Sequence, residues 1–255
     1  MEMTREKKLA ASLSALGVTV ADEKAQLMLE YMRLTLERNE VINLTAITDE
    51  DAFIEKHLMD SLAIYGLPGL ARAYSVVDVG AGAGFPGTPL AIACPDKEFL
   101  LIDSLRKRTD FIAEACAMLG IGNVRALHAR AEDAARTELR ESFDLAMSRA
   151  VGHLSVLCEY TLPFVRVGGA LYAYKSESQT NEIGESLKAR LLLGASRDTE
   201  IIHVRTVQGY MGRVPGSSTS PSTASTRHII IAIRKERPTP DTYPRRPGAA
   251  SKSPL

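Results

Sequence analysis

The chain has 255 residues, and its 31 Lys and Arg are balanced by 31 Asp and Glu, so the formal net charge is zero. A hydrophobic share of 45% with 24% charged residues excludes a disordered chain, and neutrality excludes a uniformly basic nucleic-acid binder while leaving room for a local basic face. Three widely spaced cysteines, Cys94, Cys116 and Cys158, fit neither a disulfide framework nor a zinc knuckle, so a reducing, cytoplasmic setting without a structural metal is the expectation.

The N-terminal stretch Leu9 to Ala21 follows Arg5, Lys7 and Lys8 and superficially resembles a secretory signal. Ser12, Ser14, Gly17 and Thr19 interrupt it, and Leu9, Leu13 and Leu16 fall at i, i+4, i+7 spacing, which predicts a core-facing helix instead. No apolar run reaches the roughly eighteen residues that span a bilayer. Asp22 is placed to cap a helix reaching about Asn39, with Met28, Met32 and Leu36 along one face. Thr48 with Asp51 suggests a capping box for a helix carrying Phe53, Ile54, Leu58 and Leu62. Gly66, Pro68 and Gly69 then break the pattern.

From residue 75 the rhythm becomes strand, turn, helix. Val76 to Val79 and Phe99 to Ile102 read as strands, and Lys107 to Leu119 as a helix. Asn123 to Leu127, Phe143 to Met147 and Ala170 to Tyr174 supply three more strands, with helical composition around 132–140 and 152–165. Such alternation predicts an α/β fold with a mostly parallel sheet covered on both faces. Ile201 to Val207 and His228 to Ile233 have no helix between them and predict an antiparallel pair at one sheet edge. The Ser/Thr-rich stretch 209–226 between them reads as a flexible loop. The tail from Arg227 carries seven basic residues (Arg227, Arg234, Lys235, Arg237, Arg245, Arg246, Lys252) against Glu236 and Asp241. Residues 1–70 are thus expected to form a helical region packed on a main domain of residues 71–255.

The glycine-rich turn Gly80-Ala81-Gly82-Ala83-Gly84 leaves the first strand where open α/β sheets bind nucleotides. Gly82, Gly84 and Gly87 satisfy G-x-G-x-x-G, and Asp103 follows Gly82 by 21 residues, where a ribose-binding acid belongs in either a dinucleotide or an adenosyl site. Asp78 separates the two. A carboxylate there repels a pyrophosphate but suits the cationic amino-acid end of S-adenosylmethionine.

The run from Val76 to Gly87 resembles the first motif of the bacterial 16S rRNA guanine-N7 methyltransferases (RsmG, glucose-inhibited division protein B). Asn43 to Ile47, His57 to Leu62, Leu101 to Ser104 with Lys107-Arg108, Ala129 to Glu132, Ser148 to Ala150 and Tyr243 to Gly248 match that family in order and spacing. So does the closing Lys252 to Leu255, and the likeness runs from about residue 40 to the end. It departs after Lys175, where Ser176-Glu177-Ser178 replaces the usual glycine, and in a longer 209–226 loop.

The resemblance implies a Rossmann-like class I methyltransferase with a seven-stranded, mostly parallel sheet, an antiparallel edge pair and N-terminal helices. It implies methyl transfer from S-adenosyl-L-methionine to N7 of a guanine in the decoding-region loop of 16S rRNA, free or within a small-subunit particle, leaving S-adenosyl-L-homocysteine. The cofactor would lie against Asp78, Gly80, Gly82, Gly84, Phe85, Asp103, Ser104, Ala131, Glu132 and Arg149. Arg149 and Lys175 would be catalytic, and Lys107, Arg108, Arg245 and Arg246 would meet RNA. Guanine N7 carries a lone pair and no proton, so the missing Ser/His/Asp and metal-ligand patterns are consistent with this chemistry.

The lesser reading makes Glu132 a helix-start acid favoured by the dipole, and Arg245 and Arg246 mere tail charge. The five histidines lack ligand spacing; His57 stands apart by lying inside a family motif. A nucleotide-binding oxidoreductase and a non-catalytic RNA-binding assembly factor are the rival functions. Monomer is the simplest oligomeric expectation.

Overall fold

The computed structural model describes residues 4–15, 17–149, 152–204 and 228–255. Helix α1 (Arg5–Ala15) buries Leu9 and Leu13 completely, as their spacing requires; Leu16 lies outside the described residues. Helix α2 (Asp22–Asn39) starts one residue earlier than a cap at Asp22 would allow. Ala21 is the extended N-cap residue, and Asp22 and Glu23 instead place negative charge in the first turn, where the dipole favours it. At its end, Asn39 Oδ1 accepts from Leu44 N and Thr45 N at 2.7 and 2.9 Å and folds the next loop.

Helix α3 (Glu50–Phe53) is capped by Asp49, whose carboxylate accepts from Ala52 N at 2.8 Å. The cap expected at Thr48 therefore falls on the next residue. The chain continues into a π-helical segment, Ile54–Met59, a geometry frequent at functional sites. A 3₁₀ turn, Leu62–Ile64, and helix α4 (Pro68–Arg72) follow. Pro68, read as a breaker, opens α4, a position where its missing N–H costs nothing.

The αβ part runs β1 (Ser75–Val79), α5 (Gly87–Ala93), β2 (Glu98–Asp103), α6 (Arg106–Met118), β3 (Val124–His128), α7 (Ala131–Ala134), β4 (Phe143–Arg149), α8 (Leu154–Thr161) and β5 (Val165–Ser176). Then come α9 (Glu182–Glu185), α10 (Leu187–Leu192), β6 (Ala195–His203), β7 (His228–Lys235) and α11 (Ala249–Lys252). The seven strands form one sheet in the order β3-β2-β1-β4-β5-β7-β6. Strands β1 to β5 are parallel, while β7 is antiparallel to both β5 and β6, as the sequence led us to expect.

Strand β6 begins six residues before the apolar run at Ile201, and Val207 lies outside the described residues. Its first half, Ala195 to Glu200, is polar because an edge strand can leave one side in water, and periodicity is then faint. Helices α9 and α10, of four and six residues, are too short to show a helical period in the sequence.

Alternation splits the strands between two cores. Val76, Phe99, Leu101, Leu145 and Met147 pack with Leu9, Met28, Phe53 and Leu58 of the N-terminal helices. Val77, Val79, Leu100 and Ala146 pack on the opposite face with Leu157, Leu162 and Ile231. Strand order reverses between β1 and β4, so a crevice opens at their carboxyl ends. Among the described residues no helix is long and apolar enough to cross a membrane.

Candidate active site at the carboxyl edge of the sheet

The turn after β1 is held to β2 by backbone: Gly80 N and Ala81 N both donate to Ile102 O, at 2.8 and 3.0 Å. Gly80, Gly82 and Gly84 have φ of 78°, 59° and 90°, which only glycine adopts cheaply. Gly82 N donates to Asp103 Oδ2 at 2.9 Å, and Leu105 N to Asp103 Oδ1 at 2.9 Å. Asp103 is thus fixed at the end of β2; of the roughly four acceptor sites of a carboxylate, two are taken by these N–H groups and a third by a long contact from Arg108 at 3.4 Å, which leaves Oδ1 able to accept again.

The glycines differ in purpose. A Cβ on Gly82 would meet no heavy atom within 4 Å, so its backbone borders open space. One on Gly84 would collide with Tyr31 Oη and Thr88 Oγ1. Tyr31 is buried and donates to Ala83 O at 2.8 Å, so the missing Cβ of Gly84 lets α2 dock onto the turn.

Asp78 is fully buried under the turn. Its Oδ2 accepts from Gly87 N at 2.9 Å, and its Oδ1 has no hydrogen-bond partner. Burial pushes its pKa up to about 7 against the opposing pull of the Gly87 N–H and Arg149, with the Asp103 charge adding to the rise.

Arg149, at the end of β4, is the hub of the rim. Its Nη1 donates to Lys56 O at 3.0 Å and to Asp60 Oδ2 at 2.9 Å, and its Nη2 to His57 Nδ1 at 2.9 Å. Arginine only donates, so His57 Nδ1 must be the unprotonated nitrogen; its Nε2 donates to Thr45 Oγ1 at 2.8 Å. Burial, with the nearby Arg149 charge, holds the His57 pKa at about 4 although Asp60 opposes the shift. The His57 ring stacks on Phe85 at 5.0 Å between centroids, and the Arg149 guanidinium lies 6.0 Å from the same ring. Phe85 is therefore a mostly buried platform beneath the rim.

Several expected roles change. Lys175 is buried and its Nζ donates to Glu182 Oε2 at 2.7 Å and to Gly152 O, so it is an ion pair inside the protein rather than a free catalytic cation. Glu132 starts α7 as the dipole favours, and its Oε1 accepts from Gly248 N at 2.9 Å. Its carboxylate holds the tail. Arg108 reaches Asp103 at 3.4 Å while remaining partly exposed. Arg245 is bound by buried Glu159, and Lys235 is buried 3.1 Å from Glu141. Lys107, Ser104 and Arg246 are exposed. Arg227 and the 209–226 loop lie outside the described residues. Sequence reasoning missed Asp60 and His228 as parts of the site. Asp60 could have been found from its i+3 spacing to His57; His228 lies 168 residues from Asp60 and gave no local signal.

An orphaned buried carboxylate oxygen on Asp78, an acid at Asp103 whose Oδ1 can accept again and open space over Gly82 fit a ligand with a cationic end and a ribose. Fold and site together define an S-adenosylmethionine-dependent methyltransferase. The family model for GidB, rRNA small subunit methyltransferase G, matches residues 24–207. The chain belongs to that family. It is 39% identical over 252 residues to ribosomal RNA small subunit methyltransferase G of Moorella thermoacetica, covering 98% of each chain. It is 38% identical to that of Clostridium beijerinckii, covering 97% of each. Among solved structures, cofactor-bound Rv0187 from MTB shares the fold at a TM-score of 0.52 and 15% identity, over 93% of this chain and 100% of that one. TYW2 of M. jannaschii in complex with AdoMet does so at 0.52 and 18% identity, over 75% and 79%. Among the described residues no group of His, Cys, Asp and Glu is arranged to hold a metal ion.

Proposed function

We propose that this protein methylates N7 of a guanine in 16S rRNA, in the decoding-region loop, and that it acts in the cytoplasm on free rRNA or on a small-subunit particle. The carrying observation is Asp103 held by Gly82 N and Leu105 N beside the open space over Gly82. In this reading Asp103 accepts the ribose hydroxyls, Gly80, Gly82 and Ser104 line the pocket, and the Ala131–Glu132 backbone borders the adenine. Asp78 Oδ1 receives the cationic amino-acid end. The helices of residues 1–70 form a region packed on the methyltransferase domain of residues 71–255 and contribute His57 and Asp60 to its rim.

S-adenosylmethionine supplies a methyl group already activated on a sulfonium. When bound, it would give that methyl to the lone pair of guanine N7, the S–C electron pair staying on sulfur as the N–C bond formed. No proton moves, so the chain's contribution is in-line positioning and exclusion of water. Arg149 stands at the rim where the base enters, and Lys107 and Arg246 are the exposed cations proposed to meet phosphate.

The test is transfer of labelled methyl from S-adenosylmethionine to unmodified 16S rRNA and to small subunits, with the site mapped by cleavage at N7-methylguanine. Incorporation at one decoding-region guanine is expected. Binding without transfer would favour the assembly-factor reading, and label at another atom would overturn the N7 assignment.

A further inference from the structure

Asp60 sits at a junction of three parts of the chain. It ends the π-helical segment and is 8% exposed. Its Oδ2 accepts from Arg149 Nη1 at 2.9 Å, and its Oδ1 pairs with His228 Nδ1 at 2.7 Å. His228 is the first residue of β7, set opposite Ser176 at the end of β5. Arg149 belongs to β4, and its other donors go to Lys56 O and His57 Nδ1. One buried carboxylate therefore ties the N-terminal helices, β4 and β7 together at the rim, and neither of its oxygens is idle.

Two physical consequences follow. A guanidinium on a flexible stem loses side-chain entropy when it is fixed, and Arg149 is fixed here by three acceptors, two of them from the segment that Asp60 terminates. Methyl transfer also moves a positive charge from sulfur onto the base. An uncompensated guanidinium beside that base opposes the change, and a carboxylate 2.9 Å away offsets it.

We propose that Asp60 and His228 are positioning residues for the methyl-transfer reaction: His228 pins one oxygen of Asp60 so that the other holds and neutralises Arg149 at the point where the target nucleotide enters. The inference rests on the rRNA methylation reading above. Neither residue is assigned contact with cofactor or base.

The experiment measures kcat, KM for rRNA, cofactor affinity by calorimetry and Tm for the wild type, D60N, R149K, D60N/R149K, H228F and H228N. D60N is expected to lower kcat by about ten- to a hundred-fold, the scale of a misplaced group, with cofactor affinity little changed and with activity read well below the lowered Tm that loss of a buried charge entails. D60N/R149K should be no worse than R149K, because both act through one guanidinium. H228F should fall in the same direction, and H228N, whose amide can replace the Nδ1 hydrogen bond, should recover most of that loss. Multiplicative losses in the double variant, or equal activity in H228F and H228N, would overturn the proposal. So would loss of activity that only tracks Tm. If D60N does not fold, the H228F and H228N pair decides alone. A wild type inactive on rRNA would instead sink the function reading itself.

Discussion

Arg245 grips Glu159 through both carboxylate oxygens, with Nε 2.9 Å from Oε1 and Nη2 2.7 Å from Oε2, and Glu159 is 1% exposed. The Arg245 backbone N–H also donates to Oε1, at 2.8 Å. Arg140 donates to Thr239 O and Tyr243 O at 2.7 and 2.9 Å, Arg136 to Pro244 O, and Gly248 N to Glu132. The basic tail is therefore a clasp, held by charges of the body as much as by its own.

Arg245→Ala strips the partner from a buried carboxylate and is expected to cost about 3–5 kcal/mol of stability. Arg246→Ala, at an exposed site, should stay within about 0.5 kcal/mol. Urea unfolding of both variants checks this. Equal losses would show that the clasp does not bear on stability.

Asp103→Ala is expected to weaken S-adenosylmethionine binding by about 1.5–3 kcal/mol, the range for hydrogen bonds to a charged acceptor. Calorimetric titration reads it directly. Asp103→Asn should lose less, because one carbonyl oxygen still accepts from backbone. Unchanged affinity in both would move the ribose elsewhere.

Gly82→Ala and Gly84→Ala should separate binding from folding. Both strain a positive φ, at about 1 kcal/mol each. The Gly84 methyl also meets Tyr31 Oη and Thr88 Oγ1, so this variant should lose clearly more stability in thermal unfolding. The Gly82 methyl enters open space and should act mainly on cofactor affinity.

His57 and Asp78 should give opposing pH dependences. His57 has a pKa of about 4 in the fold, below its ordinary value of 6.5, so between those values the unfolded chain binds the extra proton. Its contribution is present above pH 6.5 and is lost as pH falls toward 4. Asp78, raised from 3.8 to about 7, behaves inversely: the fold holds the proton, and stability is lost as pH rises through that window. Asp78→Asn should therefore steepen the gain in stability from pH 4 to 7, and His57→Gln should flatten or reverse it. Chemical unfolding at several pH values tests the signs. Because the cationic end of the cofactor favours ionised Asp78, binding below pH 7 should also release a proton, seen as a buffer-dependent calorimetric enthalpy absent in Asp78→Asn.

The sequence by itself determined the alternating α/β rhythm, the antiparallel edge and the nucleotide-binding turn. Each is written locally: apolar strands of period two or continuous burial, glycines where φ must be positive, an acid a fixed distance downstream. Gly80, Gly82, Asp78 and Asp103 were legible for that reason. Tertiary structure decided what the charged side chains do, because a charge has no periodicity and its role depends on which partner folding brings within 3 Å. Lys175 met Glu182, Arg245 met Glu159 and Glu132 met Gly248. Residues read as free for substrate became internal ties, since a buried charge is tolerable only when paired. The Arg149–Asp60–His228 junction joins residues 89 and 168 positions apart. Only the closing of the sheet onto its N-terminal helices could assemble it.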